Sequence, residues 1–189
     1  MDRMRKKMIT LGSVLAVLLL SFFAYLGFLQ LSGNFHEVLA GELYRSNQPS
    51  AEQLALYVKQ HNIKTVINLR GKNDGSTWYK DEVSESKALG VNHVDFAMSA
   101  RETLSMDKAE ALVEIMRTSP KPILIHCRSG SDRTGLASAI YLGKIAGVDP
   151  ETAEKQLSIR YGHLSVPVIS AAYPMDESWE RIENGLAQM

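Results

Sequence analysis

Pro122-Ile123-Leu124-Ile125-His126-Cys127-Arg128-Ser129-Gly130-Ser131-Asp132-Arg133-Thr134-Gly135 reads as an apolar run that enters a cysteine, then a short polar loop, then an arginine that opens a helix. The run 122–126 is short, apolar and opened by proline, which predicts a buried strand. The apolar pattern that resumes after Arg133 predicts a helix to about Ala146. A tight loop feeding a helix N-terminus turns backbone N–H groups toward one point, and the helix dipole adds partial positive charge there. A phosphate belongs at that point. The same donors, with Arg133, favour a thiolate at Cys127 and make it a nucleophile near neutral pH. Arg133 grips two phosphoryl oxygens with a fork that a lysine lacks. The expected phosphate-binding residues are therefore Arg128, Ser129, Gly130, Ser131, Asp132 and Arg133, with Cys127 at the floor. The competing reading, a small core cysteine followed by an ordinary polar loop, leaves the spacing to Arg133 unexplained. Asp132 is out of place in an anion cradle, so its side chain is expected to turn outward or to bond a neighbouring loop.

Outward from this stretch, strands and helices alternate. Leu43 to Ser46 reads as a short edge strand, and Ser50 with Gln53 forms a capping box that starts a helix carrying Leu54, Leu56, Tyr57 and Val58. Thr65 to Leu69 reads as a buried strand, Trp78 to Leu89 as a helix, His93 to Met98 as a strand and Ser105 to Thr118 as a helix. Asp149-Pro150 caps a further helix. The tail through Trp179 to Met189 either packs as a last helix or frays. Such alternation predicts an α/β domain with one mostly parallel central sheet flanked by helices. Its site lies beyond the carboxyl ends of the strands, where the loops after Leu69, Met98 and His126 converge and where Trp78 and Tyr79 are placed to line the mouth.

Cys127 and Arg133 at this spacing, with His126 before and Thr134-Gly135 after, resemble the signature of the cysteine-dependent protein tyrosine phosphatase superfamily. Leu43-Tyr44-Arg45-Ser46-Asn47-Gln48-Pro49, Val66-Ile67-Asn68-Leu69-Arg70 and Ser131-Asp132-Arg133-Thr134-Gly135 resemble its bacterial dual-specificity-like branch, over roughly residues 41–162. The resemblance implies that Cys127 attacks phosphorus, Arg133 holds the equatorial oxygens, and a phosphocysteine forms and is hydrolysed. Thr134 would hydrogen-bond the departing thiolate, and His126 would help keep Cys127 ionised. Relatives use an aspartate on a neighbouring loop to protonate the leaving oxygen; in Asp95-Phe96-Ala97-Met98-Ser99-Ala100-Arg101-Glu102 that position holds Arg101. Glu102, Asp95 and Asp74 are the candidate donors, each also readable as an ordinary solvated acid. The resemblance implies no cofactor and no metal.

The chain of 189 residues balances 21 basic against 21 acidic residues. No Asp, Glu, Lys or Arg occurs between Lys7 and Glu37, and Ile9 to Leu29 is almost wholly apolar, long enough to cross a bilayer. Arg3, Arg5, Lys6 and Lys7 precede it. The expected division is a cytoplasmic basic N-terminus at 1–8, a transmembrane anchor at 9–29, a linker at 30–40 and a phosphatase domain at 41–189, periplasmic or extracellular. A cleaved signal peptide is the alternative, with Val38-Leu39-Ala40 as a late cleavage site. Residues 1–7 hold four basic and one acidic residue, which leaves 17 basic and 20 acidic beyond them. That balance argues against a nucleic-acid partner.

One cysteine excludes an internal disulfide and a cysteine-based zinc site, and histidines 36, 61, 93, 126 and 163 show no paired ligand spacing. The expected partners are the membrane and a phosphorylated protein or small phosphomonoester. Phosphotyrosine is the easier substrate, because its phenolate leaves without much help. A phosphoinositide or inositol phosphate phosphatase is a second reading, and an inactive phosphate-binding module a third.

Overall fold

A computed structural model describes residues 2–185. Met1 and residues 186–189, the end of the range 41–189, lie outside the described residues, as do the side chains of Asp2, Arg5 and Lys6. The chain divides into two units, residues 1–32 and 33–189. The first is one helix, α1 (Asp2–Leu31), in which Lys7–Leu31 is a 25-residue stretch long and apolar enough to cross a membrane. A signal sequence meets the same criterion.

The second unit carries β1 (His36–Leu39), β2 (Leu43–Ser46), α2 (Ala51–His61), β3 (Thr65–Asn68), α3 (Thr77–Ala88), β4 (Asn92–Asp95), α4 (Met106–Thr118), β5 (Ile123–His126), α5 (Asp132–Lys144), α6 (Pro150–Glu154) and α7 (Tyr173–Gly185). The five strands lie in the order β1-β2-β5-β3-β4, with β1 antiparallel to β2 and the other neighbours parallel. Leu54 and Tyr57 of α2 pack with Val66 and Leu124 on one face of the sheet. On the other face Leu112, Leu136, Ile140 and Trp179, from α4, α5 and α7, cover Ile67, Ile123 and Ile125. Period-two alternation along β5 sends Leu124 to the first layer and Ile123, Ile125 and Cys127 to the second.

The expected α/β architecture and the Ser50–Gln53 capping box are present. Two expectations are corrected. Leu43–Ser46 is not an edge strand: all four residues are buried, and β5 pairs with it on one side and β1 on the other. The edge belongs to β1, which lies inside the stretch 30–40 read as a linker. A four-residue strand with a bulge between Glu37 and Leu39 has too little alternation to stand out in sequence. The strand read as 93–98 also ends at Asp95; beyond it, only single bonds such as Phe96 N–H to Asn68 O continue the pairing.

Parallel register aligns the strand ends. Ser46 and Asn68 both pair with His126, and Asn68 pairs with Asp95. Four polar residues thus form one level carboxyl edge, from which the site loops leave.

Candidate active site

Cys127 follows β5 directly and is 1% exposed. The loop behind it turns back on Gly130, whose φ of +73° suits a residue without a side chain. A Cβ there would also lie 2.7 Å from the backbone of Ser46 and Asn47, so this loop packs directly on the end of β2. Its carbonyls are engaged from outside one after another. Gln48 N–H donates to Arg128 O (3.3 Å) and Asn34 Nδ2 to Ser129 O (3.0 Å). One Arg45 nitrogen donates to Gly130 O (2.8 Å) and Ser131 O (3.3 Å). Because the N–H and C=O of a planar trans peptide point opposite ways, holding these carbonyls outward turns the N–H groups of residues 129–132 toward Cys127.

Arg45 is wholly buried. Its guanidinium also donates to Gln156 O (2.9 Å) and Gln156 Oε1 (2.7 Å), and lies 3.8 Å from the centre of the Tyr161 ring. Burial pushes Arg45 down to about 10, against the pull of Tyr161, Cys127 and Asp132, so it stays a cation at neutral pH behind the loop. Asn34, also fully buried, makes a second bond to Tyr161 O (2.9 Å).

Arg133, in the first turn of α5, reaches across the mouth. One terminal nitrogen is 3.4 Å from both Leu69 O and Met98 O, which ties together the three loops expected to converge there. Arg133 Nε and Thr134 Oγ1 are buried without a partner among the described residues. Donors of this kind, beside a cysteine and inward N–H groups, suit an anion.

His126 and Asp132 sit differently from a simple phosphate contact. His126 leaves the sheet on the face opposite Cys127, where its Nε2 lies 3.1 Å from Glu82 Oε2, near but poorly aligned for a hydrogen bond. Glu82 also accepts from His93 Nε2 (2.7 Å) and from Gln48 Nε2. Burial alone would raise the Glu82 carboxyl, but His126, with the bonds from His93 and Gln48, brings it to about 2. Gln48 Oε1 in turn accepts from Arg70 (2.9 Å), whose guanidinium stacks 3.5 Å over Trp78 at the rim. Tyr79 is buried and donates to Asp95 Oδ2 (2.5 Å).

The Asp132 carboxylate faces away from the cradle, accepting from His163 Nδ1 (2.8 Å), while His163 Nε2 donates to Asp176 Oδ2 (3.1 Å). Any contact of Asp132 with phosphate is then through its backbone N–H. Burial would lower His163, but the bonds to Asp132 and Asp176 carry it to about 9 from an ordinary 6.5. A folded value above the unfolded one stabilises fully below about pH 6.5 and is lost as pH rises through about 9. His163→Gln is therefore expected to cost about 1–3 kcal/mol near pH 6, shrinking toward pH 9. Urea unfolding of both proteins across that range checks this, and a pH-independent difference would remove the charged bridge from the account.

None of the three candidate acids is held over the cradle. Glu102 is exposed, Asp74 pairs with Lys72 in solvent (3.1 Å), and Asp95 accepts from Asn68 Nδ2 (2.8 Å) as well as from Tyr79. A groove of about 610 Å³ beside Trp78 carries Glu52, Asp81 and Glu85, the wrong charge for phosphate. Among the described residues no group of three or more His, Cys, Asp or Glu is placed to hold a metal. The buried partners Asn34, Glu82 and His163, and the half-buried Gln48, were not legible in the sequence. The one available signal was Arg45, a charge inside a four-residue strand.

Residues 31–164 match the family model described as DSP-PTPase phosphatase fused to NAD+ kinase. The chain belongs to that family. It is 29% identical over 119 residues to the dual specificity protein phosphatase TpbA of Pseudomonas aeruginosa, covering 61% of this chain and 49% of the relative. The chain thus spans about half the length of the curated relatives it matches. In fold, this DSP-PTPase resembles P. aeruginosa TpbA in complex with pTyr, with a TM-score of 0.58, 21% identity, and 84% and 93% of the two chains covered. It also resembles PTPMT1 in complex with PI(5)P, with a TM-score of 0.60, 16% identity, and 80% and 98% covered.

Proposed function

We propose that this chain is a phosphomonoester hydrolase of the protein tyrosine and dual-specificity type, working through a phosphocysteine. The observation that carries this reading is the outward engagement of every loop carbonyl from Arg128 to Ser131, which leaves donors around a buried cysteine. In the proposed first step Cys127 Sγ bonds to phosphorus and the ester P–O bond breaks. Arg133 and the loop N–H groups hold the equatorial oxygens. Water then attacks phosphorus, the P–S bond breaks, and Thr134 Oγ1 donates to the departing thiolate. No cofactor enters the reaction.

Phosphotyrosine is the favoured substrate, because no carboxyl stands over the cradle and a phenolate leaves without a strong acid. The parallel in TpbA bound to pTyr supports this. A phosphoinositide or inositol phosphate is the second reading, favoured by Arg70, whose charge is disfavoured by burial and then by the neighbouring Arg133 and Arg128 cations, so that it adds a cation beside those two. Rates on an aryl phosphate, phosphotyrosine and phosphoserine peptides, and a phosphoinositide separate the readings. The highest kcat/KM is expected on phosphotyrosine. Preference for the phosphoinositide would reverse the order, and no turnover of any would leave a phosphate-binding module.

If Glu102 supplies the leaving-group proton, Glu102→Gln slows esters of poor leaving groups far more than aryl phosphates. The exposed position of Glu102 favours the opposite result, no greater loss on poor leaving groups than on aryl phosphates.

We read α1 as an uncleaved single-pass anchor with the basic residues 3–7 in the cytoplasm and the catalytic unit periplasmic or extracellular. The length of the span and the charges before it support this. A C-terminal reporter active only outside the cytoplasm is expected to give signal in the membrane fraction. Signal from a soluble, shortened product would instead assign 9–29 to a signal peptide.

A further inference from the structure

Residues 155–175 contain no carboxylate but do contain Lys155, Arg160 and His163. Within this run the chain closes a compact turn. Ile169 N–H and Ser170 N–H both donate to Val166 O (3.1 and 2.9 Å), and Ser170 Oγ donates to Leu164 O (2.6 Å). The turn directs its apolar side chains outward: Val168 is 93% exposed and Ile169 84%. Val168 takes a φ of +65°, a conformation β-branched residues avoid. Of the large apolar side chains exposed on residues 33–185, all but Leu56 lie within 159–169. The patch is therefore one local feature and not scattered surface.

Its place in the unit gives it a direction. Asn34, near the start of the catalytic unit, bonds both Tyr161 O and the phosphate-loop carbonyl Ser129 O. His36 meets the Tyr161 ring edge-on at 5.0 Å between centroids. The chain thus enters the unit beside the phosphate loop and at the base of the apolar turn. Chain length alone limits the reach. Asn34 is three residue steps from Leu31 and Val168 seven from Tyr161, roughly 10 Å and 25 Å of fully extended chain. A cleft of about 320 Å³ joins Leu164 and Ser170 of the turn to Arg101 and Asp132. Arg101, which lines that cleft, and Arg160, in the same run, are both exposed. An apolar tip with arginines near it and no carboxylate in its own run has the composition of a segment that sits at an anionic lipid surface.

We propose that the 164–169 turn seats in the interface of the bilayer that α1 crosses and holds the mouth of the Cys127 loop toward phosphate groups at the membrane surface. This rests on the reading of α1 as an anchor, and the test lets the two fail separately. The full chain carrying Cys127→Ser, which removes the only native thiol, receives Val168→Cys for an environment-sensitive fluorophore. A control chain receives Ser84→Cys on the exposed face of α3. Both are reconstituted in phosphatidylcholine and phosphatidylglycerol vesicles. The label at 168 is expected to shift to the blue and to be quenched by lipid-borne quenchers, and the label at 84 to do neither. A chain that floats with the vesicles while its 168 label stays in water overturns the inference and leaves the anchor. A chain that does not float overturns both. A 168 label shielded only when a phosphopeptide is added assigns the turn to protein docking and also overturns the inference. With Cys127 intact, Val168→Asp combined with Ile169→Asp is expected to lower turnover of vesicle-borne phosphate about tenfold and to leave a soluble aryl phosphate unaffected. Equal loss on both substrates would reject the membrane role.

Discussion

Cys127→Ser is expected to lower turnover of an aryl phosphate by at least about 10⁴-fold, more than about 5 kcal/mol of barrier, while phosphate still binds. A serine hydroxyl at this point is nearly all protonated at neutral pH, so the covalent step lacks its nucleophile. The binding donors are untouched, because Gln48, Asn34 and Arg45 hold the loop through carbonyls and not through the cysteine sulfur. Steady-state kinetics and phosphate titration of the variant check both halves. Turnover near the wild-type rate would end the phosphocysteine mechanism, and loss of phosphate binding with the fold intact would place the anion elsewhere.

Arg133→Lys is expected to reduce kcat/KM by at least about a hundredfold, roughly 2.7 kcal/mol of transition-state stabilisation. Charge is kept; the fork is not. Arg133 directs one nitrogen toward Leu69 O and Met98 O while its buried Nε has no partner among the described residues. It can therefore brace two loops and present donors to an anion in one plane. A lysine ammonium is a single point of charge and cannot fill both positions. The loss should fall on kcat more than on KM, since the equatorial oxygens carry the geometry of the transition state. A change of less than about threefold would show that Arg133 acts through charge alone.

The fold is most legible in the sequence where one short stretch carries its own geometry. From Ile123 to Arg133 the strand, the turn and the helix start are encoded by neighbours, and the same holds for the Ser50–Gln53 box and the long apolar run of α1. The sheet edge is not legible in the sequence. β1 is four residues long and bulged, and pairing with β2 gives it its place, not its own alternation. The placing of β2 at the edge followed from that omission.

What the sequence by itself determined is the local chemistry: a cysteine and an arginine brought to one loop by fixed spacing, a parallel sheet implied by alternation, and a helix able to cross a bilayer. Only the tertiary structure decided what surrounds that chemistry. Asn34 reaches Ser129 across 95 residues of chain and Arg45 reaches Gly130 across 85. His163 takes up the Asp132 carboxylate across 31, and Glu82 links His126 to Gln48. Periodicity and spacing extend over one element, whereas the partner of a buried charge is set by which elements pack side by side. A buried arginine or glutamate announces that it needs partners, and the folded chain alone decides which ones it finds.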